Sequence, residues 1–121
     1  VLFNPAPAMQ LKEFIEKDEL NKFELKGLIK CFEYTFELAW KTMKDYLEQE
    51  GFDVKNPRSA IQTAFQTELI ADGHTWIDAL EKRNLMAHTY DEVRAKEAEE
   101  LIRNKYYAVI YELCMKLGDF I

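Results

Sequence analysis

The chain has 121 residues, 48% of them apolar and 13% aromatic, and its 16 Lys and Arg against 22 Asp and Glu leave a net charge of −6. That is enough for one buried core, and too apolar for a disordered chain. Four glycines and three prolines cannot supply the frequent turns of an all-β sandwich or barrel, no apolar run approaches the ~18 residues of a membrane span, and the acidic balance opposes non-specific binding of nucleic acid.

The opening residues, VLFNPAPAMQ, have neither the basic region nor the apolar run of a secretory signal, so a cytoplasmic location is expected. This start, with Pro5 and Pro7, reads as irregular. A short helix is predicted from about Ala8 to Lys17, carrying Leu11, Phe14 and Ile15 on one side. The strongest element runs from about Asn21 to Glu50. Its apolar residues Leu25, Leu28, Phe32, Phe36, Ala39, Met43 and Tyr46 recur every three or four positions, the mark of a long amphipathic helix of about 45 Å. Gly51 stops it. Gly27, inside the pattern, costs helix stability and marks a place where another helix comes close.

Asn56-Pro57 begins the next helix, with proline at its first position, and Ile61, Ala64, Phe65 and Leu69 share one face. Asp72-Gly73 breaks it. Thr75 with Asp78 resembles a capping box for a helix through Trp76, Ile77, Leu80 and Leu85 to about His88. Thr89-Tyr90-Asp91-Glu92 is a fuller capping box and opens the last helix, whose repeat is Ala98, Ile102, Lys105/Tyr106, Val109, Leu113 and Leu117. No repeat or linker divides residues 1–121. The expectation is one all-α domain, an antiparallel up-and-down four-helix bundle with an extra short helix.

Chemistry concentrates in one segment. With Trp76 at zero and about 100° per residue, Leu80, Ala87 and Arg83 fall within about 40° of it, Asn84 near 80° and His88 near 120°. Arg83, Asn84 and His88 therefore sit on or beside the face that should be buried, whereas Asp78, Glu81 and Lys82 point away. Two readings follow. Arg83 forms an ion pair with one of the acids, Asn84 bridges helices and His88 is a C-terminal-turn histidine favoured by the helix dipole, or the stripe faces a crevice or subunit interface where the three converge.

The phenylalanine, tryptophan and tyrosine stripe of the long helix, Phe32, Phe36, Trp40 and Tyr46, reads as core rather than as a stacking platform for bases. Lys82, Arg94, Lys96, Arg103 and Lys105 suit either a basic rim near the motif or ordinary solvated surface. Cys31 and Cys114, far apart in apolar helical patterns, read as small hydrophobes, with a disulfide or redox role as the alternative. His74 is assigned to a loop without a role. With two histidines and no Cys/His cluster, neither a metal site nor a cofactor is expected.

The segment Arg83-Asn84-Leu85-Met86-Ala87-His88-Thr89-Tyr90 matches R-x4-H-x-Y, and FEYTFELAWKTMKDYLEQEG precedes it. On these residues, together with Trp76, the chain resembles the toxin branch of the HEPN (higher eukaryote and prokaryote nucleotide-binding) superfamily over about residues 11–117. The Pro-containing start departs from that pattern. The resemblance implies a helical bundle that forms a homodimer and is encoded with a minimal nucleotidyltransferase of the DNA polymerase β type. It further implies a metal-independent endoribonuclease with Arg83, Asn84 and His88 as catalytic residues, neutralised when the partner attaches AMP to Tyr90. The alternative is a non-catalytic subunit that binds nucleotide or substrate for that transferase, and a third reading is a purely structural bundle.

Overall fold

The computed structural model describes residues 4–86 and 91–118, with only the backbone for Asn84 and Leu85. Helix α1 (Ala6–Glu16) starts two residues earlier than expected, because Pro7 lies in its first turn, where no amide hydrogen is needed. The Pro7 carbonyl oxygen then accepts from Thr35 Oγ1 at 3.2 Å, which fastens the start of α1 to the next helix. From Ala6 onward, Pro7 included, the start is thus helical rather than irregular.

Helix α2 (Lys22–Gln49) is the long element the periodicity predicts. Asn21 Oδ1 accepts from the Glu24 amide at 2.8 Å and the Glu24 carboxylate accepts from the Asn21 amide at 2.9 Å, a closed capping box. At the other end Gly51 takes φ 95°, and the Phe52 amide reaches back to the Leu47 carbonyl at 2.9 Å. Gly27 sits where α1 crosses: a Cβ there would lie 3.0 Å from Phe14 Cζ.

Helix α3 (Pro57–Gln66) is capped by Asn56 and Ser59 as a second reciprocal pair. It ends earlier than Asp72-Gly73, since Glu68 adopts φ 64° and lets the Leu69 amide bond the Ala64 carbonyl at 2.9 Å. Phe65, predicted to share the packed face, is 53% exposed and lies over Gly73. Helix α4 (Gly73–Met86) is capped by Asp72, which receives the Thr75 amide at 3.0 Å and the Thr75 hydroxyl at 2.7 Å. The expected Thr75/Asp78 box is therefore displaced by one helical turn.

Helix α5 (Glu92–Leu101) is capped by Asp91, whose carboxylate accepts from the Val93 amide at 2.9 Å. The Thr89 box would open the helix two residues earlier, and Thr89 itself lies outside the described residues. The helix continues through a π segment (Ile102–Tyr106) into α6 (Tyr107–Gly118). The sequence requires that wide turn. Ala98, Ile102, Tyr106 and Ile110 step by four each time, which in a regular helix would carry the stripe about 120° around the axis. One extra residue accommodated in the π turn cancels about 100° of that drift, and all four remain buried.

The elements form an antiparallel helical bundle, as expected, around a core of Phe32, Phe36, Met43, Trp76 and Tyr106. The Phe32 ring stacks on Tyr106 at 5.5 Å and Phe36 tilts against Trp76 at 5.7 Å. Burying each such side chain contributes about 2–3 kcal/mol. The aromatic stripe of α2 is thus core, with Trp40 packed partly inside it. Both cysteines are free and half-buried, and burial pushes the Cys114 thiol up to about 11. Among the described residues no helix is long and apolar enough to cross a membrane.

Candidate functional site

Helix α4 buries Trp76, Ala79 and Met86, and this fixes the directions of its remaining side chains. Arg83, in the last turn, points toward α2. Its Nη1 donates to Glu37 Oε2 at 2.9 Å, and its guanidinium carbon stands 5.9 Å from the centre of the Phe36 ring. The ion-pair reading of Arg83 is therefore correct in part. Burial is incomplete, however: the Arg83 side chain is 25% exposed and that of Glu37 41%. Arg83 and Glu37 also line an open cleft of about 750 Å³ between α1, α2 and α4, beside Phe14, Cys31 and Tyr34. A guanidinium there is held by a carboxylate and one aromatic face, while water still reaches it. Such a group can exchange its carboxylate partner for a phosphate.

Asn84 lies next along α4, in the same last turn. Its side chain, and His88 and Tyr90 entirely, lie outside the described residues. The structure therefore positions one of the four predicted site residues, Arg83. Glu37, the partner that holds it, was not singled out by spacing, since one acid among 22 carries no mark of its own.

The charged residues expected to point away from the core do not all do so. Asp78 accepts from Tyr106 Oη at 2.6 Å and pairs with Lys82 at 3.3 Å. The Tyr106 hydrogen bond, aided by Lys82, holds the Asp78 carboxyl below its ordinary range. Burial, reinforced by Asp78, pushes the Tyr106 phenol well up. The cause is again the π segment, which turns Tyr106 inward to face α4. Glu81 does reach outward, to Arg58 at 3.2 Å.

The five residues of the predicted basic rim separate. Arg103 bonds Glu99 at 2.9 Å and the carbonyls of Ile15 and Lys17 at 2.9 and 2.7 Å, closing the C-terminal end of α1. Lys96 approaches Glu99 at 3.7 Å. Lys82, Arg94 and Lys105 gather instead at a second groove, about 670 Å³ in volume, between α4 and the α5–π stretch. His74 lies at the start of α4 rather than in a loop, beside a third hollow. Among the described residues no three His, Cys, Asp or Glu side chains come together as metal ligands.

An antiparallel helical bundle is the fold that the HEPN resemblance implies, and sequence comparison supplies the class. Residues 5–119 match the family model described as nucleotidyltransferase substrate binding protein like, and the chain belongs to that family, the nucleotidyltransferase substrate-binding branch of HEPN. A curated relative, the probable ribonuclease HepT of Haemophilus influenzae, is 30% identical over 76 residues, 59% of this chain. The match spans about half that relative's length, 52%. A crystal structure of a protein from Thermus thermophilus superposes with a TM-score of 0.80 at 30% identity, over 94% of this chain and 95% of that one.

Proposed function

We propose that the chain is a metal-independent endoribonuclease that works as a homodimer, and that a partner minimal nucleotidyltransferase silences it by placing AMP on Tyr90. The observation that carries this reading is Arg83: a water-reachable guanidinium in a cleft, one helical turn before the segment that holds His88 and Tyr90. The name of the Haemophilus influenzae relative supports the ribonuclease, and the family's description supports the nucleotidyltransferase partner.

Cleavage follows from ordinary acid–base chemistry. A neutral His88 takes the proton of a ribose 2′-hydroxyl, whose oxygen attacks the adjacent phosphorus. The bond from phosphorus to the 5′-oxygen breaks, leaving a 2′,3′-cyclic phosphate. The departing oxygen takes a proton from the imidazolium of the second copy. An imidazole with an ordinary pKa near ~6.5 suits both tasks at neutral pH. Arg83 offers a fixed fork of donors to the phosphate as its charge grows, and Asn84 orients ribose or phosphate.

One chain has a single histidine in the motif, so the dimer completes the site. The face that suits a second copy is that of α2 beside the first cleft, where Phe23 and Tyr34 are 78% and 63% exposed. AMP on Tyr90, two residues beyond His88, then adds bulk and negative charge where an RNA phosphate must sit. The transfer joins the phenolic oxygen to the α-phosphorus of ATP and releases pyrophosphate.

A second reading, a non-catalytic nucleotide- or substrate-binding subunit, draws on the family's description and on the net charge of −6. Purified protein incubated with RNA in excess chelator separates the two. The ribonuclease reading expects cleavage that His88→Ala abolishes, and an AMP-sized mass increase on Tyr90 after treatment with the transferase and ATP. Equal cleavage by the parent and His88→Ala would contradict it, as would an adduct on another residue.

A further inference from the structure

The groove between α4 and the α5–π stretch is outside the Arg83 cleft and has no part in the chemistry above. Its floor is apolar, made by Met86, Ala98 and Leu101, and Lys82, Arg94 and Lys105 stand around it. Lys82 is shared with Asp78. Arg94 and Lys105 are exposed and have no ion pair among the described residues. Neither makes a direct ion pair among them, although Glu97 and Glu100 line the same groove and the charge of Lys105 is felt at Asp78. The π segment creates the arrangement: by turning Tyr106 into the core, it leaves the preceding Asn104 and Lys105 outward at the lip of the groove. Wide turns of this kind recur at functional sites.

Size and chemistry select the ligand. A volume of about 670 Å³ accommodates one nucleotide with room for the backbone on either side. Met86 and Ala98 are almost fully buried, so the half-buried Leu101 offers the apolar surface to the face of a base, Asn104 offers an amide to its edge, and two separated cations suit two consecutive phosphates. Glu97 and Glu100 also line the groove, and their charge opposes any longer run of phosphates.

We propose that this groove holds one nucleotide of a single-stranded RNA, its base against Leu101 and its flanking phosphates on Arg94 and Lys105. The proposal rests on the ribonuclease reading for its choice of RNA as the polymer. It makes Arg94 and Lys105 positioning residues that set where the strand lies, without contact with the reacting atoms.

The test measures binding of a short 2′-O-methyl oligoribonucleotide, which cannot be cut through its 2′-oxygen, to the full chain at several salt concentrations. Arg94→Glu/Lys105→Glu is compared with the parent and with Lys26→Glu, an exposed reversal on α2. Both groove residues are exposed, and unchanged circular dichroism and thermal midpoint verify that the variant folds. The double reversal is expected to weaken binding at least about 10-fold and to reduce the slope of log affinity against log salt by about 1.4, two contacts at about 0.7 each. Lys26→Glu is expected to change the slope far less. A double variant with the parent's affinity and slope would overturn the groove while leaving cleavage through Arg83 and His88 intact. AMP bound as tightly as the oligonucleotide would also overturn it, in favour of a free-nucleotide site. Groove-dependent binding by a parent chain that leaves natural RNA uncut would uphold the groove and remove the ribonuclease reading alone.

Discussion

Replacing Glu37 by glutamine tests whether Arg83 is a structural cation or one held ready for phosphate. The pair spans 2.9 Å, yet its side chains are 41% and 25% exposed. Its contribution to folding is therefore modest, about 0.5–1 kcal/mol, or a fall of about 3 °C in thermal midpoint. The effect on RNA has the opposite sign. A phosphate bound to Arg83 lies roughly 6 Å from the Glu37 carboxylate, and two negative charges at that distance repel by about 0.7 kcal/mol in water and about 3 kcal/mol at an effective dielectric of 20. The partial exposure of both groups places the true value near the watery end, about 1 kcal/mol. Glu37→Gln should then bind the 2′-O-methyl oligoribonucleotide about 5-fold more tightly, read by fluorescence anisotropy at low salt. In an Arg83→Ala background most of the gain should vanish, because the cation that faces the cleft is gone and only the exposed Lys41, 3.6 Å from Glu37 Oε1, remains for glutamine to release. Unchanged or weaker binding by Glu37→Gln would refute the reasoning and make the pair a structural tie.

Four further outcomes follow from the packing. Arg103→Ala removes hydrogen bonds to Glu99, Ile15 and Lys17 and leaves a nearly buried carboxylate without its nearest cation, so denaturant unfolding should show a loss of about 2–3 kcal/mol. Glu68→Gly relieves a side chain held at φ 64° and should stabilise by up to about 1 kcal/mol; destabilisation would mean that the Glu68 side chain has a tie of its own. The lowered Asp78 carboxyl contributes stability that is present above its ordinary pKa of 3.8 and lost as pH falls through the lower folded value. Tyr106, raised above its ordinary 10.0, contributes stability present below pH 10 and lost as pH rises beyond it; thermal midpoints against pH should thus fall at both ends, and Tyr106→Phe should flatten the alkaline fall.

Much of the fold was legible because the relevant signals are local. Asn21 with Glu24, Gly51 and Asn56-Pro57 each act within a turn or so of chain, and all three set helix ends where the pattern placed them. The misplaced boundaries arose where two local signals competed. Asp72 and Thr75 both suit a cap, and Asp72 accepts from the amide and the hydroxyl of Thr75 together, which Thr75 with Asp78 cannot match. Similarly Asp91 caps α5 in place of the Thr89 box. The doubled choice Lys105/Tyr106 in the last helix was a real signal of a different kind, the residue gained in the π turn. In the candidate site, the helical position of Arg83 forecast that it turns toward the packed side and meets an acid. Its partner was not legible, because Glu37 is 46 residues away in sequence and only tertiary packing unites them. The inward path of Asp78 was hidden for the same reason, since it depends on Tyr106 from another helix.

Whether Arg83 and His88 cut RNA by internal transfer is decided by the ends of the products. RNA incubated with the chain in excess chelator at neutral pH should yield fragments ending in 2′,3′-cyclic phosphate. Arg83→Ala should slow their appearance at least about 100-fold, the scale of losing a transition-state charge contact, and His88→Ala should abolish it. Fragments ending in 3′-hydroxyl, or equal rates from all three proteins, would contradict the account.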